Sequence, residues 1–523
     1  MTTSPDFITG SAGDVPRPRL AAAPTDPALP IDTVIGTDLE AVLGQQLAAD
    51  LDALLAAELE DDYKLDLPAS GPLPYGQPAT ERWLGGLAWK TTAFAVIAAC
   101  TATLGGLSVL LRATGSRHTS LGVTVLELIW VFPFAVAVLN LAGMALQRRP
   151  SEQSSSSLSQ TVVFRYVSRG QNRQALVDSV HTVHQVMERY PLFPYRIEAV
   201  VDNNAVHLDP HPLLSEIVVP ANYQTGRGTL FKARALHYAV GHTQHADDTW
   251  IFHCDEESHV TPSVVRGIAQ AVEAEERTGE HRIGQGLIVY VRTLRDKPLL
   301  TLADSIRVAD DLGRWNLQNR IFGAPLFGMH GSFVLVRNSI EQTIGFDLGP
   351  QGSVTEDTWW ALLVYAAGWR TRWVDGVVVE QSPERIVDFV KQRQRWFDGL
   401  VRVARHCDTP LRYRASLAAF VAVWALAPLS VIATVLLLTA GVRLPALETA
   451  LATATFGLYA GSYLIGLLTS LRVGRVSWVR RALLIACQFV LMPLFATFEA
   501  AGVTSALLAA RRGIRFHVIS KQH

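Results

Sequence analysis
The sequence predicts an α/β domain with a largely parallel sheet, embedded between two groups of transmembrane helices. Short β-rich runs alternate with helical stretches from about 160 to 400, the pattern of strand–helix units. Apolar runs free of charge for about twenty residues stand on both sides of that region. The segment "SEQSSSSLSQ" (151–160) marks the boundary between the first apolar group and the central domain.

Composition narrows the classes. Across 523 residues, Lys+Arg (46) and Asp+Glu (47) nearly cancel, so no bulk charge points to nucleic acid. A hydrophobic share of 49% is high for a soluble chain of this length and fits membrane spans. Cys100, Cys254, Cys407 and Cys487 show no disulfide or zinc spacing, which suits a reducing compartment. Lysine is scarce and alanine abundant, a composition expected of a high-GC bacterial genome.

Residues 1–80 form an N-terminal region without a basic start followed by an apolar run, so no cleavable signal peptide is expected. Within it, 1–36 lack periodicity and are expected to be disordered, whereas 38–62 place Leu at helical spacing with acids on the other face, a docking element. Two membrane spans are expected in 85–146, over about 85–111 and 121–146. "QRRP" (147–150) places the end of the second in the cytoplasm.

The central domain, 160–400, reads as strand "TVVFRYV", helix "ALVDSVHTVHQVMERY", strand "YRIEAVVD", and later the strands "TWIFHC" and "RIGQGLIVYV". Asp202 ends one of these strands and Asp255 another, where ligands gather in such sheets. An interfacial segment, 401–412, leads into about three spans in 413–510, over 413–440, 446–471 and 482–510. "LRVGRVSWVRR" and the tail 511–523 are both basic, so simple alternation and the positive-inside rule disagree at the C-terminus. Pro493 and Glu499 interrupt the last run and predict a kinked, re-entrant or partly interfacial helix.

Three acidic or basic clusters stand out. Asp255-Glu256-Glu257 places three carboxylates at a strand end, where a metal ion, a solvated surface or a nearby Arg must compensate them. Acidic triplets are usually solvated turns, but Asp255 and Glu257, two apart, lean the same way and suit Mg²⁺ or Mn²⁺ shared with phosphate oxygens. In "GSVTEDTWWALL", Thr355 or Ser353 caps a helix whose first turn holds Glu356 and Asp357; these acids either serve the helix dipole or supply a general base. In "KQRQRWFDGL", Gln392, Arg395 and Trp396 share one helical face or a short loop. Arg395 suits a leaving diphosphate and Trp396 a sugar ring, unless the stretch only snorkels to lipid headgroups.

"DEE", "TED" and "QRQRW", in that order between membrane segments, resemble the family-2 glycosyltransferases, relatives of cellulose and hyaluronan synthases. "FRYVSRGQN", "VVPANYQT", "FKARALHYAV", "HCDEESHVTPSVVRGI", "LADSIRVADDLGRWNLQ", "GMHGSFVLVR" and "SPERIVDFVKQRQRWFDGL" are similar to the egghead-type β-1,4-mannosyltransferases across most of 160–400. The resemblance implies a GT-A nucleotide-diphospho-sugar transferase domain. It assigns Ser168, Arg169, Asp202, Lys232, Asp255, Gln392 and Arg395 to the donor, with Asp255 and Glu257 as the metal-binding pair for Mg²⁺ or Mn²⁺. Catalysis would fall to Asp357 as base, with Glu356 and Arg395, and the acceptor to Trp396, Gly331 and Ser332.

The expected protein is thus a multi-pass plasma-membrane enzyme with a cytoplasmic catalytic domain. It would move a sugar, from GDP-mannose or a UDP-sugar, to a lipid-linked or saccharide acceptor with inversion. A processive polysaccharide synthase and a non-catalytic scaffold or transporter are the competing expectations; the intact acids oppose a scaffold, and spans with few charges and no clear repeat oppose a transporter.

Overall fold
The computed structural model describes residues 83–114, 128–150, 157–202, 206–294, 297–439 and 445–509, together with 49, 52, 53, 64 and 65. Apart from a few of those single positions, the expected disordered start, the amphipathic stretch 38–62 and the basic tail 511–523 lie outside the described residues.

One sheet holds seven strands: β1 (Val162–Ser168), β2 (Tyr195–Asp202), β3 (Leu214–Val219), β4 (Trp250–Asp255), β5 (Arg282–Val289), β6 (Val334–Arg337) and β7 (Arg370–Val379). Their spatial order is β3-β2-β1-β4-β6-β5-β7. β6 runs antiparallel to β4 and β5, and every other pair is parallel. The α/β class and mostly parallel sheet follow the expectation; the four-residue antiparallel β6, VLVR, was not among the strands read from the sequence. Register fixes the site. Ser168 lies beside Val201 and Val167 beside Asp255, so the carboxyl ends of β1, β2 and β4 open onto one edge.

The helices in chain order are α1 (Leu87–Thr114), α2 (Val131–Ala145), α3 (Arg173–Arg189), α4 (Phe231–His242), α5 (Pro262–Thr278), α6 (Pro298–Asp310), α7 (Asn338–Ile344), α8 (Glu356–Ala366), α9 (Ile386–His406), α10 (Leu411–Trp424), α11 (Ala427–Thr439), α12 (Ala446–Ser470) and α13 (Trp478–Ala509). α3 buries Leu176, Val180, Val183 and Met187 at helical spacing, the stripe its sequence shows. α5 starts where the Thr261 side chain accepts from the Val264 N–H with Pro262 next, and it stops at the left-handed Gly279 (φ 68°).

Among the described residues, four stretches are helical, long and apolar enough to cross a membrane: Leu87–Leu110, Leu411–Leu436, Ala446–Ser470 and Trp478–Ala509. α2, at 15 residues, is shorter than a full span. α13 continues as one helix through Pro493. Glycines let these helices close on one another and on the central domain. A Cβ on Gly461 of α12 would stand 2.6 Å from Ile97 of α1, and one on Gly466 only 1.9 Å from the Ser305 carbonyl of α6. A Cβ on Gly143 of α2 would fall 1.8 Å from the Gly313 carbonyl, inside a π-helical turn at Asp311–Trp315. Asn140 ties the same junction, donating to Asp310 at 2.8 Å and accepting from the Arg314 N–H at 3.1 Å.

Candidate active site
A cavity of about 1270 Å³ opens at the carboxyl edge of the sheet and continues among the membrane helices. Its lining includes every site residue expected from the sequence: Ser168, Arg169, Asp202, Lys232, Asp255, Glu257, Gly331, Ser332, Glu356, Asp357, Gln392, Arg395 and Trp396. These come from seven separate stretches of chain, and the fold brings them together. Gln392 is buried, and α9 presents it to the cavity rather than to a membrane surface.

The three acids of 255–257 have different partners. Asp255 is ion-paired to Lys232 of α4, so part of the compensating charge is built into the chain rather than delivered with a ligand. Glu256 faces the first loop, accepting from Ser168 Oγ at 2.5 Å and from Asn172. Glu257 is buried, with its backbone carbonyl held by Arg292 at 3.0 Å.

Lys232 also donates to the Gly331 carbonyl at 3.0 Å and stands 3.8 Å from Glu356. Burial works against its charge, but Asp255 and Glu356 prevail and hold the ammonium well above its ordinary range. Asp357 accepts from the Thr358 N–H at 2.6 Å, close to the first turn of α8. Thr355 occupies the expected cap position, yet its side chain makes no capping bond, and Ser353 instead donates to the Gly349 carbonyl at 2.7 Å. The cap assignment therefore fails: Asp357 satisfies one of the free N–H groups itself.

Burial, then the charge of Asp357, raise Glu356 to about 7 despite Lys232. Burial likewise raises Asp357, opposed by the Thr358 N–H and Lys232. Burial lowers Arg395 from its ordinary value, while Glu356, Asp255 and Asp357 pull it back up; it stays a cation facing those acids. Gly331 marks the crossing point. A Cβ there would lie 2.9 Å from Lys232 Nζ, 3.2 Å from Asp357 Oδ2 and 3.6 Å from Glu356 Oε1.

Several cavity residues were not anticipated. Glu380 accepts from Ser258 and Ser332, each at 2.7 Å, and burial with Asp255 nearby raises it. Outside the lining, Arg234, two residues after Lys232, pairs with the cavity residue Asp202. His330 stacks on Trp315 at 4.0 Å and bonds to Asp311 at 2.6 Å, beside Gly331. The Trp396 ring lies under two guanidinium groups, Arg307 at 4.3 Å and Arg393 at 4.5 Å. Only Glu499, a lone carboxylate in an apolar run, carried a visible signal.

Asp255 and Glu257 offer the hard oxygens that Mg²⁺ or Mn²⁺ requires. Among the described residues no three His, Cys, Asp or Glu side chains converge into a complete site. Two carboxylates fit an ion whose other ligands are diphosphate oxygens and water.

Residues 250–498 match the family described as glycosyl transferase family group 2. The match covers just under half of the chain. It begins at the first residue of β4 and contains the DEE, TED and QRQRW residues, while Ser168, Arg169, Asp202 and Lys232 precede it.

Over 238 residues the chain is 40% identical to β-1,4-mannosyltransferase egh of Drosophila melanogaster, covering 45% of this chain and 51% of that protein. It is 33% identical over 299 residues to β-1,4-mannosyltransferase bre-3 of Caenorhabditis elegans, covering 56% and 64%. The matched region thus spans between half and two thirds of these curated relatives. Both are animal proteins, so the bacterial origin read from composition gains no support from them. Among solved structures, the mannosyltransferase PcManGT from Pyrobaculum calidifontis, in complex with GDP-Man and Mn²⁺, aligns with 77% of this chain and 99% of its own at 13% identity and a TM-score of 0.39. TarS 1–349 of S. aureus aligns with 68% and 93% at 9% identity and a TM-score of 0.29.

Proposed function
We propose that this chain is a membrane-bound inverting glycosyltransferase that moves mannose from GDP-mannose to a hydroxyl of a lipid-linked acceptor, forming a β-linkage. The carrying observation is the single cavity in which Asp357, Lys232, Asp255 and Arg395 meet and which then runs on between membrane helices. Its far walls are apolar, with Leu104, Leu107, Ile129, Val431, Phe489 and Met492 among them, a lining that suits hydrocarbon better than a hydrated polymer. The names of the curated relatives support mannose. The basic stretches at 147–150 and 471–481 support a catalytic domain on the cytoplasmic side of the plasma membrane.

Asp357 takes the proton of the acceptor hydroxyl as its oxygen bonds to the anomeric carbon. On the opposite face the bond to the diphosphate breaks, and the nucleoside diphosphate leaves with the electron pair. Burial raises the proton affinity of Asp357, which strengthens it as a base. Arg395 and Lys232 supply fixed positive charge where the diphosphate departs. Glu356 keeps Lys232 oriented, and Asp202, held by Arg234, faces the nucleoside. Bound at Asp255 and Glu257, Mg²⁺ or Mn²⁺ would add Lewis-acid stabilisation of the diphosphate.

The test is purified protein with Mn²⁺ or Mg²⁺ and a panel of GDP- and UDP-sugars, with linkage and product length determined. A single β-mannosyl transfer, abolished in Asp357→Asn while donor binding survives, is the expected result. Long products from a UDP-sugar would instead establish a processive synthase, and full activity of Asp357→Asn would remove that residue from its role.

A further inference from the structure
Arg393 sits inside the QRQRW stretch and is 1% exposed. Its guanidinium is engaged on every side. Nε donates to Glu499 of α13, Nη2 to Asp304 of α6 at 2.5 Å, and Nη1 to Gln392 Oε1 at 2.9 Å. Gln392 lines the cavity, and with that oxygen engaged its amide N–H groups are the donors it has left to offer a ligand. The same guanidinium lies 4.5 Å from the centre of the Trp396 ring. Arg307, 3.9 Å from Asp304, covers that ring as well.

The contact leaves no room to slip. A Cβ on Gly502, three residues after Glu499 on α13, would lie 2.5 Å from Arg393 Cβ. An ionisable residue inside a membrane helix is costly and persists where it is paired, and here its partner belongs to the helix that carries the donor-facing residues.

We propose that Glu499 and Asp304 are positioning residues: acting through Arg393, they fix the Gln392 amide against the donor and the Trp396 ring beside it on the acceptor side, so that helix α13 sets the donor end of the site. This rests on the glycosyltransferase reading above, in which Gln392 and Trp396 face substrate.

Removing one member of a buried pair strands the other's charge, whereas removing both relieves it. The experiment therefore compares wild type, Glu499→Gln and the double variant Glu499→Gln/Arg393→Gln in detergent, measuring thermal stability, donor KM and kcat. Glu499→Gln is expected to raise donor KM about tenfold with kcat changed by less than about threefold. In the double variant Asp304 keeps Arg307, 3.9 Å away, and the cluster is again neutral, so stability is expected to recover while donor KM stays raised, because the tether to Gln392 and Trp396 is still missing. Donor KM that returns to the wild-type value together with stability would reduce the cluster to a structural role and overturn the proposal. So would a folded Glu499→Gln with wild-type KM. Absence of donor turnover in the wild type itself would mark failure of the underlying enzymatic reading.

Discussion

Replacing Glu356 by Gln keeps the shape of the side chain and removes a charge that the cavity disfavours. The carboxyl titrates at its ordinary 4.5 in the unfolded chain and at about 7 in the fold, because burial and Asp357 outweigh Lys232. The protonated form therefore favours the folded state. That contribution is complete below pH 4.5 and is lost as pH rises through 7. At roughly 1.4 kcal/mol per pH unit of separation, it amounts to about 3 kcal/mol. An unfolding entropy of roughly 2 cal/mol/K per residue makes that worth about 3 °C in a chain of this length. Parallel thermal unfolding of wild type and Glu356→Gln between pH 5 and pH 8 is the assay. Part of the contribution is already lost at pH 5, so the wild type is expected to lose about 2 °C relative to the variant across that range. The difference belongs to the Glu356–Asp357 pair, since each charge shifts the other's titration. Curves that stay parallel from pH 5 to pH 8 would refute the burial argument.

Gly331→Ala would push a methyl against the mobile ends of Lys232 (2.9 Å) and Asp357 (3.2 Å); stability should hold, while kcat falls at least about tenfold in a transfer assay. Gly143→Ala would place its methyl 1.8 Å from a backbone oxygen that cannot move aside, so size-exclusion chromatography should show loss of the folded protein. Lys232→Met removes a charge that lowers Asp357, so the acid limb of the kcat–pH profile should move to higher pH.

The strands and helices around the site were legible because their periodicity is local: Val162–Ser168 and Tyr195–Asp202 fall where "TVVFRYV" and "YRIEAVVD" place them. Candidate residues were legible because DEE, TED and QRQRW keep their order along the chain. Their partners were not. The Lys232–Asp255 bond joins residues 23 apart and Arg393–Glu499 residues 106 apart, and a sequence displays each charge without its counterpart. The middle acid, Glu256, shows the cost: the triplet looks uniform, yet Ser168 and Asn172 bind it to the first loop. The π-helical turns 311–315 and 318–322 were invisible for a related reason. The first of them carries Gly313, seated closely on α2, a tertiary contact that no local propensity encodes.

The most direct test is calorimetric titration of GDP-mannose into the intact protein, with and without Mn²⁺, for wild type and Asp255→Asn. Cation-assisted uptake by the wild type, weakened at least about tenfold in the variant, is the outcome this structure predicts. Equal uptake by both proteins, or none with any sugar nucleotide in the presence of the ion, would contradict it.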